Sequence, residues 1–245
     1  MSSYDHLAKW YDRLTDDVNY EEFADFFESI FNVSGQAVHE VLDMACGTGT
    51  LTWMLAMRGY EMIGMDASAE MLAEAANKAG ENPASSPPLL LCQKLSEMDL
   101  YGTVDAAVCS LDGMNYIPPH ELEKLFRRLS LFISPGGVLA FDLNTPERLK
   151  SLDGQIFIDE TEDILCLWRA EYEHENELLF YGMDIFSREG DMWDRESEEH
   201  VEYAHNPEKI CALLKKIGFV DVCVRTDGPR NHQGRIFITA INGEK

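Results

Sequence analysis

The sequence contains 245 residues, of which 45% are hydrophobic, so the chain is long enough to bury the core of one large domain or of one domain with a small insert. Asp and Glu total 44 against 20 Lys and Arg, and the resulting formal charge of -24 repels phosphate backbones and anionic lipid headgroups. Nucleic acids and membrane surfaces are therefore excluded as partners, and a neutral or cationic small molecule is the favoured ligand.

The first predicted elements are two helices within residues 4–33. Tyr4, Leu7, Ala8 and Tyr11 recur at helical spacing, and the phenylalanines of residues 23–31 do the same. The polar residues 15–19 between them are typical of a turn followed by a helix cap.

Residues 38–143 alternate between short apolar runs and helical patterns. The predicted strands are 38–44, 61–66, 89–92, 104–109 and 138–143. The predicted helices are 51–57, one capped by Ser68, and one from about 120 to 132, with a loop at 82–88 and a turn at 134–137. Strands that alternate with helices predict a parallel sheet covered by helices on both faces.

The pattern changes near residue 150. Residues 155–203 alternate polar and apolar side chains, and Glu189-Gly190-Asp191 is typical of a hairpin turn, which predicts an antiparallel insert. Asn206-Pro207 then begins a helix that Gly218 ends, and residues 219–224 and 235–241 are the last two strands. We therefore expect one domain from 1–150 and 206–245, with an insert at 151–205.

The cysteines and the N-terminus predict a cytoplasmic location. None of the six cysteines stands in a C-x-x-C pair, so buried free thiols in a reducing compartment are expected rather than a zinc site or a disulfide framework. Residues 1–6 contain neither a basic segment nor an apolar core, which predicts no signal peptide. No apolar run is long enough to span a bilayer.

The segment from Asp43 to Thr50 carries the strongest functional signal, because it ends a strand and begins a helix. Gly47 and Gly49 have no Cβ, so the backbone there is able to turn sharply and to approach a ligand closely. Asp43 stands at the carboxyl end of the strand, which is where open α/β sheets bind ligands.

A second acid, Asp66, ends the next strand 23 residues later, a placement that suits the ribose hydroxyls of a nucleoside. A dinucleotide-binding motif would have a third glycine where this chain has Thr52, and Asp43 would repel a pyrophosphate. The pattern therefore favours a nucleoside that carries a cationic amino acid over NAD.

The glycine-rich segment resembles the first motif of the class I S-adenosylmethionine-dependent methyltransferases, and Asp66 resembles the acid of their second motif. Over residues 1–150 and again from 206, the chain is similar to the bacterial small-molecule group of that family, which includes sugar-amine N-methyltransferases. The segments that carry this similarity are Tyr11-Asp12, Asp17-Val18-Asn19-Tyr20 and Asp112-Gly113-Met114-Asn115-Tyr116. The resemblance implies an α/β, Rossmann-like, seven-stranded sheet of order 3-2-1-4-5-7-6 with its last strand antiparallel, and a small antiparallel β insert as a lid.

The resemblance also implies S-adenosylmethionine as the cofactor, a set of residues that bind it, and no metal. These residues are Tyr11, Asp43, Ala45, Cys46, Gly47, Gly49, Asp66, Ala67, Met71, Leu95, Leu111 and Asp112. After the third strand, relatives read Gln-Asp-Met and use the Asp to reach the adenine amino group, whereas this chain reads Gln93-Lys94-Leu95. Lys94 cannot accept that hydrogen bond, so the backbone N–H of Leu95 is left to bind the ring.

Methyl transfer from a sulfonium is an in-line displacement for which the protein supplies position and a dry site, so neither a nucleophile nor a metal is required. We expect the acceptor to be a nitrogen or oxygen of a small molecule, with amines among the candidates. By location, the catalytic candidates are Asp112, Tyr116 and His200, and Tyr172 and Tyr181 are further candidates for taking a proton. Two alternatives stay open: a non-catalytic S-adenosylmethionine-binding protein and a nucleotide-dependent oxidoreductase.

The predicted insert is unusually acidic, since residues 151–205 contain 17 Asp and Glu against three Arg and no Lys. One hypothesis is an acidic lid, in which these acids and aromatics such as Trp168, Tyr172, Tyr181 and Trp193 select a cationic acceptor. The other is that the acids face water while the aromatics face inward, and strand alternation slightly favours it.

Overall fold

A computed structural model describes residues 7–80 and 84–243, so Tyr4 of the first predicted helix and residues 82–83 of the predicted loop lie outside the described residues. The N-terminal segment has a 3-10 turn at Ala8–Trp10, then α1 (Tyr11–Leu14) and α2 (Tyr20–Val33). The first predicted helix is divided, because a 3-10 turn precedes α1. It ends before Thr15, where the turn was predicted, and the Thr15 hydroxyl donates to the Tyr11 carbonyl at 2.8 Å.

The remaining helices and the strands follow the predicted alternation. The helices are α3 (Thr50–Met57), α4 (Ala69–Asn77), α5 (Leu122–Phe132), α6 (Pro146–Ser151) and α7 (Pro207–Ile217). The strands are β1 (Glu40–Met44), β2 (Glu61–Asp66), β3 (Leu89–Cys92), β4 (Val104–Cys109), β5 (Ile133–Asn144), β6 (Ile156–Glu160), β7 (Ile164–Glu173), β8 (Leu178–Glu189), β9 (Met192–Tyr203), β10 (Phe219–Arg225) and β11 (Arg235–Asn242).

Seven strands form one sheet in the order β3-β2-β1-β4-β5-β11-β10. β11 runs antiparallel to both β5 and β10, whereas the pairs among β1 to β5 are parallel. Numbered within this sheet alone, the order is 3-2-1-4-5-7-6, which confirms the predicted fold. Both faces of the sheet are buried, one against α5 and α7 and the other against α2 and α3, which is why its central strands are almost entirely apolar.

Two details of β5 and its end differ from the prediction. The predicted turn at 134–137 is an irregularity within β5, because Val104 pairs with Ile133 and Ala106 pairs with Val138. The short helix α6 was not predicted, although its signal is present: the Thr145 hydroxyl caps it and Pro146 occupies its first turn.

The second sheet has four antiparallel strands in the order β6-β7-β8-β9, which confirms the predicted antiparallel insert and its hairpin at Gly190. Leu7 of the N-terminal segment packs against its inner face, beside Ile164, Cys166 and Met183. The division into domains at 1–150, 151–205 and 206–245, and the action of the insert as a lid, stay predictions.

Candidate functional site

A cavity of about 450 Å³ lies at the carboxyl edge of the seven-stranded sheet, where β1, β2 and β4 end. Its walls come from the glycine-rich turn, the ends of β2 and β4, the segment after β3 and the N-terminal segment. The lining residues are Tyr11, Tyr20, Ala45, Cys46, Gly47, Thr48, Leu51, Asp66, Ala67, Ser68, Met71, Lys94, Leu95, Ser96, Ser110, Leu111, Gly113, Tyr116, Ile117, Pro118 and Glu121. Nine of the twelve predicted cofactor-binding residues are among them.

The glycine-rich turn forms one wall of the cavity. Ala45, Gly47 and Gly49 all have positive φ angles, of 53°, 55° and 71°, so the chain reverses sharply between β1 and α3. Gly47 lines the cavity, but Gly49 does not. A Cβ on Gly49 would lie 2.9 Å from the Cβ of Ala75, so this glycine instead allows α3 to pack closely against α4.

Asp66 ends β2 with its carboxylate at the cavity wall. Its two oxygens accept hydrogen bonds from the backbone N–H groups of Gly47 at 2.9 Å and Ser68 at 2.8 Å. Burial raises the pKa of Asp66, and these N–H donors oppose the rise. The carboxylate therefore fixes the glycine-rich turn against β2, and it still has lone pairs with which to accept further hydrogen bonds.

Asp43 lies beneath the cavity rather than on its wall. Its side chain is buried, and it accepts a hydrogen bond from the Thr52 hydroxyl of α3 at 2.6 Å. Burial raises the pKa of Asp43 to about 7, and the charge of Asp66 adds to the rise. Any effect of Asp43 on a ligand in the cavity is therefore electrostatic rather than a direct contact.

In the turn after β4, the side chains of Leu111 and Asp112 point in different directions. Both residues have a left-handed backbone conformation, with φ of 56° and 60°. The Asp142 carboxylate stabilises this conformation, because it accepts hydrogen bonds from both of their backbone N–H groups at 2.9 and 2.8 Å. Leu111 lines the cavity, whereas the Asp112 carboxylate turns away and forms an ion pair with Arg235 at 2.7 Å. Arg235 also binds Asp142 at 2.6 Å. Asp112, predicted for both catalysis and cofactor contact, is thus directed into a buried charge network.

Of the remaining catalytic candidates, only Tyr116 lines the cavity. His200 is buried on β9, where its ring meets the edge of the Tyr116 ring at a centroid distance of 6.1 Å and its Nε2 lies 3.1 Å from Glu198 Oε2. Tyr172 and Tyr181 belong to the second sheet and do not line the cavity.

Several lining residues were not singled out from the sequence. The N-terminal segment contributes Tyr20 as well as Tyr11, and burial raises the pKa of Tyr20. Thr48, Ser96 and Glu121 also line the cavity. A signal for Tyr20 was present in the Asp17-Val18-Asn19-Tyr20 segment, whereas nothing local marks Ser96 or Glu121.

The inner face of β9 carries a row of ionisable side chains. Glu196, Glu198, His200 and Glu202 occupy alternate positions of the strand and so share its inner face, and the last three of them are buried. Glu202 accepts a hydrogen bond from the Asn144 side chain at 3.2 Å, and burial holds the pKa of Glu202 well above its usual range. Glu198 and Glu202 are therefore exceptions to the hypothesis that the acids of the insert face water, because most of its described acids are exposed.

The aromatic residues of the second sheet are divided between its two faces. The side chains of Trp168, Tyr172 and Tyr181 lie on the inner face, whereas that of Trp193 is 48% exposed on the outer face. None of these four lines the cavity. Most of the described acids of the insert are exposed and three of these four aromatics face inward, in line with the hypothesis that strand alternation slightly favoured. The exceptions are Trp193 and the buried acids Asp184, Glu198 and Glu202.

Residues 7–80 and 84–243 show neither a membrane-spanning helix nor a metal-binding cluster. No helix in these ranges is long and apolar enough to cross a membrane. No three His, Cys, Asp or Glu side chains in the same ranges lie close enough together to hold a metal ion.

Comparison with known proteins gives a consistent result. Residues 41–137 match the family described as a methyltransferase domain. YqeM of Bacillus subtilis (strain 168), a methyltransferase by name, is 29% identical over 88% of this chain and 86% of its own. The crystal structure of an S-adenosylmethionine-dependent methyltransferase from Clostridium acetobutylicum ATCC 824 is 29% identical, with a TM-score of 0.84 over 98% of this chain and 99% of that one. The sugar N-methyltransferase KedS8 from Streptoalloteichus sp. ATCC 53650 is 19% identical, with a TM-score of 0.82 over 100% and 95% of the two chains, which shows a shared fold.

Proposed function

This chain is an S-adenosylmethionine-dependent methyltransferase, and from that premise we propose that it methylates an amine nitrogen of a small molecule by in-line displacement. The observation that carries the proposal is the inner face of β9, where Glu196, Glu198 and Glu202 share the face of His200, whose ring contacts Tyr116 of the cavity. Carboxylate charge near a site attracts a positively charged acceptor. Glu202 contributes less to it than its neighbours, because burial holds its pKa well above the usual range. The family assignment overturns the alternative of an oxidoreductase.

The residues of the cavity fit S-adenosylmethionine. A volume of about 450 Å³ is typical of a small-molecule site. Asp66 offers a carboxylate to ribose hydroxyls, and Met71, Leu95 and Leu111 offer apolar surface to a purine. Among residues 7–80 and 84–243, Lys94 is the only Lys or Arg that lines the cavity, whereas two acids, Asp66 and Glu121, line it. This balance suits a cationic ligand better than a phosphate.

When bound, S-adenosylmethionine supplies a methyl group that its sulfonium already activates. The protein must orient the acceptor and exclude water from the site. We assign the exclusion of water to Tyr11 and Tyr20, which line the cavity from the N-terminal segment. The acceptor amine must give a proton to bulk water as it enters the site, so that its lone pair is free to attack the methyl carbon. We propose that the Tyr116 hydroxyl accepts a remaining N–H of the amine and so orients that lone pair.

Two further features support a small amine acceptor in the cytoplasm. KedS8, which has the same fold over nearly its whole length, is by its description a sugar N-methyltransferase. All six cysteines are free thiols, as expected in a reducing compartment.

We expect amines to be the best acceptors in a panel of amines, alcohols and carboxylates, with formation of S-adenosylhomocysteine as the readout. Because the attraction is electrostatic, kcat/KM for the best amine should fall with rising salt. Glu196→Gln should lower kcat/KM for this amine about tenfold or less, which corresponds to an interaction of ~1 kcal/mol. Glu199→Gln is the matched control, because Glu199 lies on the outer face of the same strand. Neutral or anionic best substrates, or equal effects of the two variants, would contradict the proposal.

Lys94 provides a separate test of how the purine is held, because its side chain lines the cavity. Lys94→Asp supplies an acceptor for the adenine amino group and removes a cation, so we expect it to tighten S-adenosylhomocysteine binding about twofold to tenfold, as one hydrogen bond does. Calorimetric titration measures the change, and Lys94→Ala controls for the loss of the cation alone. An equal gain in both variants, or no gain in either, would show that adenine is not bound at this position.

A further inference from the structure

Asp12 connects the N-terminal segment to the glycine-rich turn. Its Oδ1 accepts hydrogen bonds from the hydroxyls of Thr48 at 2.6 Å and Thr50 at 3.3 Å, and its Oδ2 lies 2.7 Å from Lys78 Nζ. Thr48 stands between the two glycines of the turn and lines the cavity. One carboxylate on α1 therefore holds a wall of the cavity directly.

Lys78, just after the last residue of α4, closes the same network. Its Nζ donates to the Thr48 hydroxyl at 3.1 Å and to the Thr50 hydroxyl at 2.6 Å. Each threonine hydroxyl thus accepts a hydrogen bond from Lys78 and donates its single proton to Asp12. We call Asp12, Thr48, Thr50 and Lys78 the latch.

The N-terminal segment is also held at its other end. The backbone N–H of Leu7 donates to Glu198 of β9 at 3.1 Å, and the Leu7 side chain packs into the apolar cluster of the second sheet. The chain from Leu7 to Asp12 therefore runs from the second sheet to the glycine-rich turn. Tyr11, the neighbour of Asp12, lines the cavity within this span.

From this arrangement we infer that Asp12 is a positioning residue: the latch holds Tyr11 over the bound cofactor, and the Asp12–Lys78 pair must break before the cofactor product leaves. The inference rests on the proposed cofactor site. The side chains of Asp12 and Lys78 are 44% and 18% exposed, and a pair of this kind contributes little to overall stability. Its loss should therefore change the lifetime of the bound state without unfolding the protein.

The test is the dissociation rate constant of S-adenosylhomocysteine, measured by stopped-flow displacement in the full-length protein. We expect Asp12→Asn and Lys78→Met each to raise it about fivefold. The effect of the double variant should be smaller than the sum of the two single effects, because both changes remove the Asp12–Lys78 pair. Salt should speed dissociation from the wild-type protein and should have a smaller effect on both variants.

The matched control is Asp17→Asn, which breaks an ion pair of the same segment, to Arg230 at 2.8 Å, outside the latch. We expect its dissociation rate to equal that of the wild-type protein. Unchanged rates in Asp12→Asn and Lys78→Met, additive effects, or an equal rise in Asp17→Asn would overturn the inference. If the cofactor bound elsewhere, Asp66→Ala would also leave affinity unchanged, so failure of the latch and failure of the proposed site are distinguishable.

Discussion

Asp66→Ala is expected to weaken S-adenosylhomocysteine binding by about 1.5–3 kcal/mol, the range for hydrogen bonds to a charged group, which is roughly a 10- to 150-fold rise in Kd. The carboxylate stands at the cavity wall, and each of its oxygens already accepts one backbone N–H. A carboxylate has about four lone pairs, so two ribose hydroxyls are able to bind without displacing either N–H. Calorimetric titration at constant salt measures the loss.

The variant also removes two hydrogen bonds that hold the glycine-rich turn, so a control must share that loss. Asp105 provides it, since its carboxylate accepts the backbone N–H groups of His39 at 2.8 Å and Glu40 at 3.0 Å, away from the cavity. We expect Asp105→Ala to leave cofactor affinity unchanged. A folded Asp66→Ala protein with wild-type affinity would show that the ribose is not bound by this acid.

The position of the site was predictable because it depends on local patterns, whereas the sheet order was predicted from the resemblance to a known family. Gly47 needs a positive φ to turn into α3, and Asp66 stands at the end of an apolar strand. Parallel strands bring their carboxyl ends to one edge of the sheet, so these two residues had to meet. The observed hydrogen bond between Gly47 N and Asp66 Oδ2 is the consequence.

The direction in which individual side chains point was not predictable in the same way. Asp112 follows β4 as expected, but its orientation depends on Asp142 and on Arg235, which is 123 residues away in the chain. Asp43 is at the predicted strand end, yet its side chain faces Thr52 of α3. Such partners are set by tertiary packing, which a local pattern does not contain.

The strand β9 shows the same limit for a whole element. The alternation of side chains along β9 was evident in the sequence, but which set of alternate residues faces inward was not. A shift by one residue exchanges the two faces of a strand. The inward-facing set is fixed by distant contacts, namely those of His200 with Tyr116 and of Glu202 with Asn144. Residues that look solvent-exposed from composition are consequently buried.

The largest effect on stability is expected for Arg235→Met, at about 3–5 kcal/mol of the free energy of unfolding, the usual cost of removing one partner from a buried ion pair. The Arg235 guanidinium is bound by Asp112 and Asp142, and it is 7% exposed. Methionine fills much of the space but leaves both carboxylates without their counterion. Chemical denaturation measures the loss, and Arg127→Met is the control, since its pair with Glu123 on α5 is exposed and such helical pairs are worth about 0.3–0.5 kcal/mol.

The cost of Arg235→Met should also depend on pH. Burial raises the pKa of Asp112, and Arg235 opposes that rise, so the variant should have a still higher folded-state pKa at Asp112. An acid with a raised folded-state pKa lowers the free energy of unfolding as pH rises from its ordinary pKa to the raised value, and it has no such effect when it is protonated in both states. The difference between variant and wild type should therefore be largest at neutral and alkaline pH and should shrink towards about pH 4, near the ordinary pKa of Asp. Adding Asp112→Asn should recover part of the lost stability at neutral pH, and a pH-independent loss with no recovery would mean that packing, rather than charge, accounts for the role of Arg235.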